Sequence, residues 1–505
     1  MLKIIKVITS STMLENALGI DFQNTFAKDL EGLYKESTAS INPSAEILLL
    51  NENLALELGI GLDKLYSKNA FDLFSGNKKP FNSITLAQAY SGHQFGHFNP
   101  NLGDGRALLL GEVLNIKGEL RDIQLKGSGP TPFSRRGDGK SALGPVLREY
   151  LVSESMYALG IPSTRALAVI KTGKQVERDK SLPGGLMTRV ASSHIRIGTF
   201  EYASLQNDTK LLQKLADYSI SRHFPDTADV ENPYLAFFAA ICNKQASLIA
   251  NWMSIGFIHG VMNTDNMSIS GETIDYGPCA FMNAYNPKTV FSSIDAQGRY
   301  AYQNQPSILT WNLTRLAEAL IPLVHDKKDE SIKLLTEVLQ LIKPVYTNYW
   351  LVLMRSKVGL SKEDPKDYEL IINLLNLMEK NKVDFTLCFR FLAKSLNGNN
   401  KPIRNIFKGS KEFDSWLMIW QERISQEGIP DEKISNSMDA LNPIYIPRNH
   451  NVETALQAAV EENNMEPFKK LFSVMQNPYK EISGMEEYAN PIKGSDSSYK
   501  TFCGT

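Results

Sequence analysis

The stretch from His259 to Met282, which reads HGVMNTDNMSISGETIDYGPCAFM, constrains the fold of this chain more than any other feature. It holds two polar clusters, NTDN and DYG, separated by an alternating apolar and polar segment and a Gly-Glu turn. That pattern predicts a tight β-hairpin whose two ends place Asn266 and Asp275 side by side. An amide oxygen beside a carboxylate, with Asp265 adjoining, suits Mg²⁺, which takes few protein ligands and completes its coordination with substrate phosphates.

The order of these elements is the one by which protein kinases hold their metal ions. In kinases a catalytic loop ends in a metal-binding Asn, and an Asp-aromatic-Gly turn then supplies the metal-binding Asp. Kinase-like loops of the His-Gly-Asp type carry the catalytic Asp directly after His-Gly, where this chain has Val261. A valine cannot accept a proton. The sequence therefore predicts a kinase-like metal site that does not perform kinase chemistry in the ordinary way.

Composition narrows the class of protein. Over 505 residues, 54 basic and 55 acidic side chains give a net charge of −1, so no overall field favours nucleic acid or an anionic membrane as a partner. The four cysteines include no CxxC pair, which disfavours a zinc site or a disulfide framework and favours a reducing compartment. The most apolar run, Leu235 to Cys242, is too short to span a bilayer. We expect a cytoplasmic protein, or a mitochondrial one if the source is eukaryotic.

A glycine-rich turn precedes two predicted strands upstream of the metal loop. The GDGR turn at residues 103–106 leads into a strand from Ala107 to Leu114, and a second strand runs from Arg121 to Lys126. Glycines let the backbone approach phosphate groups, and a strand-ending lysine supplies a point charge. This is the layout of a kinase N-lobe; the alternative is an ordinary β-hairpin with a surface lysine.

Two features that follow extend this pattern. Loop 127–140 is rich in glycine and basic residues, so it is either a solvated connector or a phosphate-binding nest, and its composition favours the nest. Pro145 then suits the first turn of a helix on which Glu149 can pair with Lys126, as in kinases. Glu154 is a rival on the same helix, and a solvated glutamate is the alternative.

Two pairs of side chains are open to more than one interpretation. Arg189 and Arg196 are expected to be solvated or salt-bridged, unless the fold brings them beside Lys126, where they become phosphate ligands. His93 and His97 are four residues apart and could bind a metal from a helix. Nearby glycines and a proline disfavour that helix, and no third ligand lies close, so a metal site there is disfavoured.

The chain divides into four predicted parts and belongs to the α+β class. These parts are an N-terminal extension at 1–84, a kinase-like N-lobe with the nucleotide-binding loop at 85–205, a helical C-lobe at 206–482 that contains the metal loop 259–282, and a polar tail at 483–505. We expect a two-lobed, protein-kinase-like fold, with an antiparallel sheet in the N-lobe, a mainly helical C-lobe, and helical extensions at both ends.

Several long blocks of this sequence together resemble one family, the selenoprotein O family of protein adenylyltransferases. The blocks are AYSGHQFGHFNPNLGDGRALLLGE, QLKGSGPTPFSRRGDGKSALGPVLREYLVSE, NTDN, DYGPCAFM, QPSILTWNLTRLAEAL and NPIYIPRNHNVETAL. Several blocks in the right order are far more specific than one glycine motif. Members of that family have a protein-kinase-like fold, bind ATP flipped relative to ordinary kinases, and transfer AMP to hydroxyl side chains of proteins.

The resemblance implies a set of site residues. It implies Asp265 as the proton acceptor, Asn266 and Asp275 as the metal ligands, and an ion pair between Lys126 and Glu149. It further implies that Arg189 and Arg196 hold the γ-phosphate of the flipped nucleotide. The implied nucleotide contacts are Gly103, Gly105, Arg106, Lys126, Asp138, Gly139, Arg189, Arg196 and Asp275.

The sequence therefore predicts an enzyme that uses Mg²⁺, or Mn²⁺, to move AMP from ATP to Ser, Thr or Tyr hydroxyls of proteins. The flipped nucleotide accounts for Val261, because the usual base has no target once the α-phosphate faces the acceptor. A conventional protein kinase stays an alternative, which Val261 disfavours. A non-catalytic nucleotide-binding scaffold is a second alternative, which the retained Lys126, Glu149, Asn266 and Asp275 disfavour. Neither nucleic acid nor a membrane is an expected partner.

Cys503 occupies the place where members of the family carry selenocysteine or cysteine. A cysteine in a polar tail is accessible to other thiols, which favours redox chemistry over packing. One hypothesis joins Cys503 by a disulfide to another cysteine of the chain, with Cys279, close behind Asp275, as a candidate. The alternative is an inert terminal residue.

Overall fold

A computed structural model describes residues 19–492 and 499–501 of the chain. In this part of the protein, one large antiparallel sheet is combined with many helices. The strands are β1 (Tyr34–Glu36), β2 (Glu46–Leu50), β3 (Leu86–Gln88), β4 (Gly92–Gln94), β5 (His97–Asn99), β6 (Ala107–Leu114), β7 (Leu120–Lys126), β8 (Ser141–Ala142), β9 (Arg165–Glu177), β10 (Ser181–Ala191), β11 (Phe257–Ile258) and β12 (Ala280–Phe281).

Helices make up most of the chain after the sheet. They are α1 (Thr25–Asp29), α2 (Glu52–Glu57), α3 (Leu62–Leu65), α4 (Lys68–Phe74), α5 (Leu143–Ala158), α6 (Ile197–Leu205), α7 (Thr209–His223), α8 (Pro233–Ser254), α9 (Gln305–Val324), α10 (Lys328–Lys357), α11 (Asp367–Asn381), α12 (Phe385–Leu396), α13 (Lys401–Ile406), α14 (Lys411–Ser425), α15 (Asp431–Leu441), α16 (Asn449–Glu461), α17 (Glu466–Met475) and α18 (Glu486–Ala489). Across the described residues, no helix has the length and apolar character needed to cross a membrane.

The register of the main sheet decides which side chains reach the site. Its strand order is β1–β3–β6–β7–β10–β9–β2, with β8 paired to β10. Between β10 and β7, Met187 lies opposite Lys126 and Arg189 lies opposite Gln124. Opposite residues of an antiparallel pair share a face, and so do residues two apart along one strand. Lys126, Gln124 and Arg189 therefore project from the same face of the sheet.

Apolar packing covers both faces of this sheet. On one face, α2, α3 and α4 bury side chains such as Leu65 and Leu73 against Leu125. On the other face, α5 buries Leu147 in a cluster with Met187, and α16 and α17 complete that layer. A third and larger core lies among the later helices and includes β11 and β12. The site therefore lies between the α5 face of the sheet and the loop that joins β11 to β12.

The strands and the helix expected around the GDGR turn are confirmed. The strand predicted at 107–114 is β6, and the strand predicted at 121–126 is β7, which begins one residue earlier. The helix predicted to carry Pro145 in its first turn is α5, which begins at Leu143. Its C-terminus is followed by Gly160 with φ 77, a left-handed conformation that glycine adopts without steric cost.

The hairpin predicted at 267–274 is wrong. Ser268 forms an antiparallel bridge with Arg196, and Thr273 forms a parallel bridge with Ser163, so the two halves of the segment pair with distant parts of the chain. The alternating pattern indicated an extended backbone correctly but could not indicate its partner. The antiparallel pair of this region is instead made by β11 and β12, which lie outside the segment and are joined by the long loop that contains it.

The description of the N-terminal segment as a helical extension also needs correction. Two strands of this segment join opposite edges of the main sheet: β1 pairs with β3, and β2 pairs with β9. An edge strand exposes unpaired backbone groups that can accept another strand. β1 and β2 pair with the backbone groups that β3 and β9 would otherwise expose, while α2, α3 and α4 cover one face of the sheet.

Candidate active site

Lys126, at the end of β7, is held by two carboxylates. Its Nζ lies 2.6 Å from Glu149 Oε2 on α5 and 2.7 Å from Asp275 Oδ1. Lys126 is only 9% exposed, so these contacts are largely shielded from water. Glu154, the rival on the same helix, pairs instead with Arg165 at 2.9 Å. The structure thus brings Lys126 and Glu149 together.

Asp275 is the centre of the site, and it contacts three cations. Lys126 Nζ and Arg189 Nη1 each lie 2.7 Å from its Oδ1, and Arg196 Nη1 lies 2.7 Å from its Oδ2. We call Lys126, Arg189 and Arg196 the cation cluster. Burial alone would raise the pKa of Asp275, but the three cations outweigh it and hold that pKa well below its ordinary value. Asp275 also has a left-handed backbone, with φ 64, a kind of strain that collects at functional sites.

Arg196 connects Asp275 to the loop that contains Asp265. It stands directly before α6, and its Nη1 also donates to the backbone oxygen of Asp265 at 2.6 Å. Its guanidinium lies 4.6 Å from the centroid of the Tyr90 ring, a cation–π arrangement. One side chain therefore fixes the distance between the DYG turn and the NTDN turn.

Asp265 and Asn266 occupy a single short 3₁₀ turn, Thr264–Asn266. Asp265 is 7% exposed, and within the described part of the chain its buried Oδ1 has no hydrogen-bond partner, while Gln94 Nε2 donates to its Oδ2 at 3.3 Å. Burial raises the pKa of Asp265 to about 6, against the opposing effect of Arg196. Asn266 Nδ2 donates to Val261 O at 3.0 Å, so the remaining amide atom, Oδ1, is the one suited to a metal.

The β4–β5 hairpin braces this turn, and it carries the two histidines considered as a metal pair. They lie on strands and not on a helix; His93 Nδ1 contacts Glu201 Oε1 at 2.5 Å, while His97 is exposed. Thr264 Oγ1 donates to Glu201 Oε2 at 2.6 Å and accepts from His93 N at 2.7 Å. Burial raises the pKa of Glu201 to about 7. His93 thus positions the loop through Glu201 and Thr264.

The GDGR turn and loop 127–140 are fastened to each other. Thr131 Oγ1 donates to Asp104 O at 2.6 Å, and Ser134 Oγ donates to Gly105 O. Gly103 has φ 62, and a Cβ there would lie 2.3 Å from the Phe133 ring. A glycine is therefore required at 103 for the two segments to approach so closely.

The site residues line one cleft made of two adjoining cavities. The inner cavity, of about 500 Å³, is lined by Gly105, Arg106, Lys126, Glu149, Arg189, Arg196, Asp265, Asn266 and Asp275 among others. The outer cavity, of about 670 Å³, is lined by Gly103, Gly105, Arg106, Asp138, Gly139 and Asp265 among others. Every site residue implied by the sequence therefore lies on this cleft, apart from Cys503, which lies outside the described residues.

The donors in the inner cavity fit a hard divalent cation. Among the described residues, no group of three or more His, Cys, Asp or Glu side chains could hold a metal ion by itself. Asp275 and Asn266 nevertheless offer a carboxylate and an amide oxygen, and the unpartnered Oδ1 of Asp265 lies on the same cavity. Mg²⁺ prefers oxygen ligands and keeps several positions for water or phosphate, so this small set suits it.

The segment Tyr499–Thr501 lies against the turn that follows Asp275. Thr501 Oγ1 donates to Pro278 O at 2.6 Å. Arg148, on α5, donates to Cys279 O at 2.7 Å and to Tyr499 Oη at 3.1 Å. Two successive carbonyl groups after the DYG motif are therefore held by side chains from other parts of the chain.

The candidate partner of Cys503 is poorly placed for redox chemistry. Cys279 is fully buried, and burial raises the pKa of its thiol to about 12. The thiolate is the reactive form, so such a thiol is unreactive while the fold is intact. The hypothesised disulfide of Cys503 falls outside the described residues.

Three contributors to the site were not found by sequence reasoning: Gln124, Asp104 and Tyr90. Gln124 Oε1 accepts from Arg189 Nη2 at 2.6 Å, and its position two residues before the strand-ending lysine, on the same strand face, was a usable signal. Asp104 Oδ1 lies 3.9 Å from Arg196 Nη2, and it stands inside the GDGR turn that was recognised. Tyr90 had no local signal, because its contact with Arg196 depends on the tertiary fold.

Known proteins resemble this chain over nearly its whole length. The family model described as protein adenylyltransferase SelO matches residues 16–476. The chain is 49% identical over 488 residues to the protein nucleotidyltransferase YdiU of Agrobacterium fabrum, covering 96% of this chain and 99% of that protein. It is 50% identical over 488 residues to the protein of the same name from Maridesulfovibrio salexigens, covering 96% and 98%. The Bacillus cereus protein of that name is 49% identical over 490 residues, covering 97% and 99%.

These matches run through both the sheet and the helical part of the chain. They define an enzyme of the protein nucleotidyltransferase class. More narrowly, the chain belongs to the SelO family of protein adenylyltransferases. The resemblance read from the sequence blocks is confirmed.

Proposed function

We propose that this chain transfers AMP from ATP to Ser, Thr or Tyr hydroxyls of other proteins and releases diphosphate. We further propose a two-lobed, kinase-like arrangement, with the N-lobe at 85–205 and the helical C-lobe at 206–482, in which ATP is flipped. The observation that carries this proposal is the cation cluster, three buried side chains that converge within 2.7 Å of the oxygens of Asp275. The γ-phosphate of a flipped nucleotide would lie on this cluster.

The chemistry of the cation cluster supports a triphosphate ligand. Hydrogen bonds from guanidinium or ammonium groups to phosphate are charge-assisted and stronger than neutral ones. Arg189 is 1% exposed and Arg196 is 3% exposed, so water competes weakly with a bound anion. Phosphate oxygens can replace the Asp275 carboxylate on these cations, which would release that carboxylate to a metal.

Asp265 is the proposed proton acceptor. The hydroxyl of the acceptor protein would give its proton to Asp265 Oδ1 while its oxygen bonds to the α-phosphorus. The bond from the α-phosphorus to the bridging oxygen then breaks, and diphosphate leaves. A pKa of about 6 keeps Asp265 ionised at neutral pH yet makes it a better base than an exposed aspartate. Val261 lines the same cavity and cannot take this role.

Asn266 and Asp275 are the proposed ligands of Mg²⁺ or Mn²⁺. When bound, the metal would neutralise charge on the phosphates and help to orient them. Arg196 would maintain the spacing between the two ligand-bearing turns, because it contacts both Asp275 and the backbone of Asp265. Lys126 would be oriented by Glu149.

We also propose that the protein acts in the cytoplasm. The relatives that carry the family name come from bacteria. The three described cysteines, Cys242, Cys279 and Cys388, are buried and free, as is usual in a reducing compartment.

The reaction is tested directly by following the α-phosphate and the γ-phosphate of ATP separately. Purified protein is incubated with a protein acceptor and with ATP labelled either at the α- or at the γ-phosphate. We expect label on protein from α-labelled ATP only. Label from γ-labelled ATP would identify a conventional kinase, and no label from either would identify a nucleotide-binding scaffold.

A matched pair of variants links that label to the cleft. Asp275→Ala removes the carboxylate that contacts the cation cluster, and we expect it to abolish transfer. Asp414→Ala removes a carboxylate whose ion pair with Arg404 is exposed, at 2.9 Å, and we expect normal transfer. Normal turnover by Asp275→Ala in Mg²⁺ would refute the metal assignment.

A further inference from the structure

Two arginines at the outer cavity have no role in the proposed nucleotide pose. Arg135 and Arg136, which we call the basic rim, belong to loop 127–140, and both are exposed. Both line the outer cavity. In the proposed pose the γ-phosphate lies on the cation cluster, and the proposed nucleotide contacts include neither Arg135 nor Arg136.

Arg178, which lines the same cavity, already has a carboxylate partner, unlike the two arginines of the basic rim. Arg178 makes two hydrogen bonds to the carboxylate of Asp138, each 3.1 Å long. Arg106 also has an interaction partner. Considering residues 19–492 and 499–501 only, neither Arg135 nor Arg136 forms a hydrogen bond or an ion pair through its side chain. Two adjacent positive charges are therefore presented at the cavity without a counter-ion.

The basic rim is held in a defined place beside the proposed base. Gly137 N donates to Ser134 O at 2.7 Å, which closes a turn around both arginines. Thr131 and Ser134 fasten the same loop to the GDGR turn. Arg135 lines the inner cavity as well as the outer one, and so does Asp265. An acceptor that reaches Asp265 therefore passes close to Arg135.

We propose that the basic rim selects acceptor proteins that carry acidic residues next to the hydroxyl to be modified. This inference rests on the proposed function, because it assumes that a protein hydroxyl approaches Asp265. That hydroxyl must come within about 2.6–3.2 Å of the carboxylate for proton transfer. The side chains that flank this hydroxyl in the acceptor protein then lie near loop 127–140, where carboxylates would be attracted by the positive charges of the basic rim. Complementary charge of this kind favours encounter and disfavours basic or neutral partners.

The exposure of the rim sets the size of the effect. Contacts between exposed charges change affinity only severalfold each, because water screens them. We expect two acidic flanking residues to raise kcat/KM by roughly tenfold at low ionic strength. Salt shortens the range of these interactions, so the preference should shrink as ionic strength rises.

A pair of peptides tests the proposal. One carries a single Thr hydroxyl flanked on both sides by Glu, and the other has Gln in place of each Glu. Transfer of α-label from ATP is measured for both peptides with the full chain and with the variant R135Q/R136Q. We expect the wild-type chain to prefer the Glu peptide and the variant to lose that preference. A control variant, K117Q/K210Q, removes two exposed charges elsewhere and should keep it.

The outcomes separate this inference from the proposed function. If neither peptide nor any protein acceptor receives α-label, the proposed function itself fails. If both peptides are modified equally well, or if R135Q/R136Q retains the preference, the acidic selection is refuted while adenylyl transfer stands. If R135Q/R136Q raises the KM for ATP and leaves the preference intact, the rim belongs to the nucleotide site. A short single-stranded oligonucleotide can also be added as a competitor. If it inhibits transfer as strongly as an equal concentration of the Glu peptide does, the rim is a general polyanion site and the inference is overturned.

Discussion

Asp275→Asn tests whether one carboxylate both stabilises the nucleotide-free protein and serves the metal. The carboxylate lies 2.7 Å from each of three cationic groups, and its side chain is 20% exposed. Removing one partner from a buried charged pair costs about 3–5 kcal/mol, because the remaining charge loses its counter-ion. Asparagine keeps the shape and one acceptor oxygen, so we expect the free energy of unfolding to fall by about 3 kcal/mol.

The pH dependence of that loss has a definite sign. The folded-state pKa of Asp275 lies below the unfolded value of about 3.9, so its stabilisation is present above that value and is lost as pH falls through the folded pKa. We therefore expect the difference between wild type and Asp275→Asn to be constant near neutral pH and to shrink below about pH 4. Urea unfolding followed by tryptophan fluorescence, at several pH values, measures it.

Metal-free ATP supplies a second readout for the same variant. Because the triphosphate can occupy the cation cluster in place of the carboxylate, ATP in the presence of a chelator should stabilise Asp275→Asn more than it stabilises wild type. Asp414→Asn, at an exposed ion pair, is the control and should change stability by less than about 1 kcal/mol. Equal unfolding midpoints and equal responses to metal-free ATP in Asp275→Asn and wild type would refute the counter-ion role.

Three further predictions concern other parts of the protein. Arg196→Gln should narrow the difference in affinity between ATP and AMP, measured by calorimetry, because it removes a proposed γ-phosphate ligand; an unchanged difference would argue against the flipped pose. Burial lowers the pKa of Lys357 to about 7, so the folded protein loses this proton near pH 7 while the unfolded chain keeps it to about pH 10, and stability should rise with pH between these values. In urea unfolding, Lys357→Met should flatten the rise of the unfolding free energy with pH, whereas Lys380→Met, at an exposed lysine, should leave it unchanged. If the rise persists in Lys357→Met, another group causes it. Thr501→Val should lower kcat by severalfold through loss of its bond to Pro278, with little change in the unfolding midpoint, and full activity would show that this contact does not position the turn.

Local pattern was enough to predict the parts of the site that single elements carry. A strand that ends in Lys126 and a helix that starts near Pro145 each have a recognisable signature, and the contact with Glu149 follows from placing that helix on the sheet. The NTDN and DYG clusters likewise predicted two turns that meet at the cleft, whereas the metal that they were predicted to bind stays a prediction. In each case the informative residues lie within one strand, one helix or one turn.

Contacts between distant segments could not be predicted from local sequence patterns. Ser268 alternates correctly for a strand, yet its partner is Arg196, a choice that only the assembled fold determines. The convergence of Arg189 and Arg196 on Asp275 was open for the same reason, since a solvated arginine and a buried one have the same neighbours in sequence. The strands β1 and β2 were missed because three and five residues carry too little periodicity to predict a strand.

The contact between Thr501 and Pro278 has a consequence for when the enzyme becomes competent. The two residues are 223 positions apart, so a ribosome completes the whole cleft long before it adds the hydroxyl that holds the Pro278 carbonyl. Tyr499, which accepts a hydrogen bond from Arg148 on α5, is also synthesised late. A nascent chain can therefore fold its sheet and its helices around the cleft while the turn after Asp275 still lacks part of its support. We therefore expect full activity only after translation has passed residue 501, which would separate the synthesis of this transferase from the start of its action on other proteins.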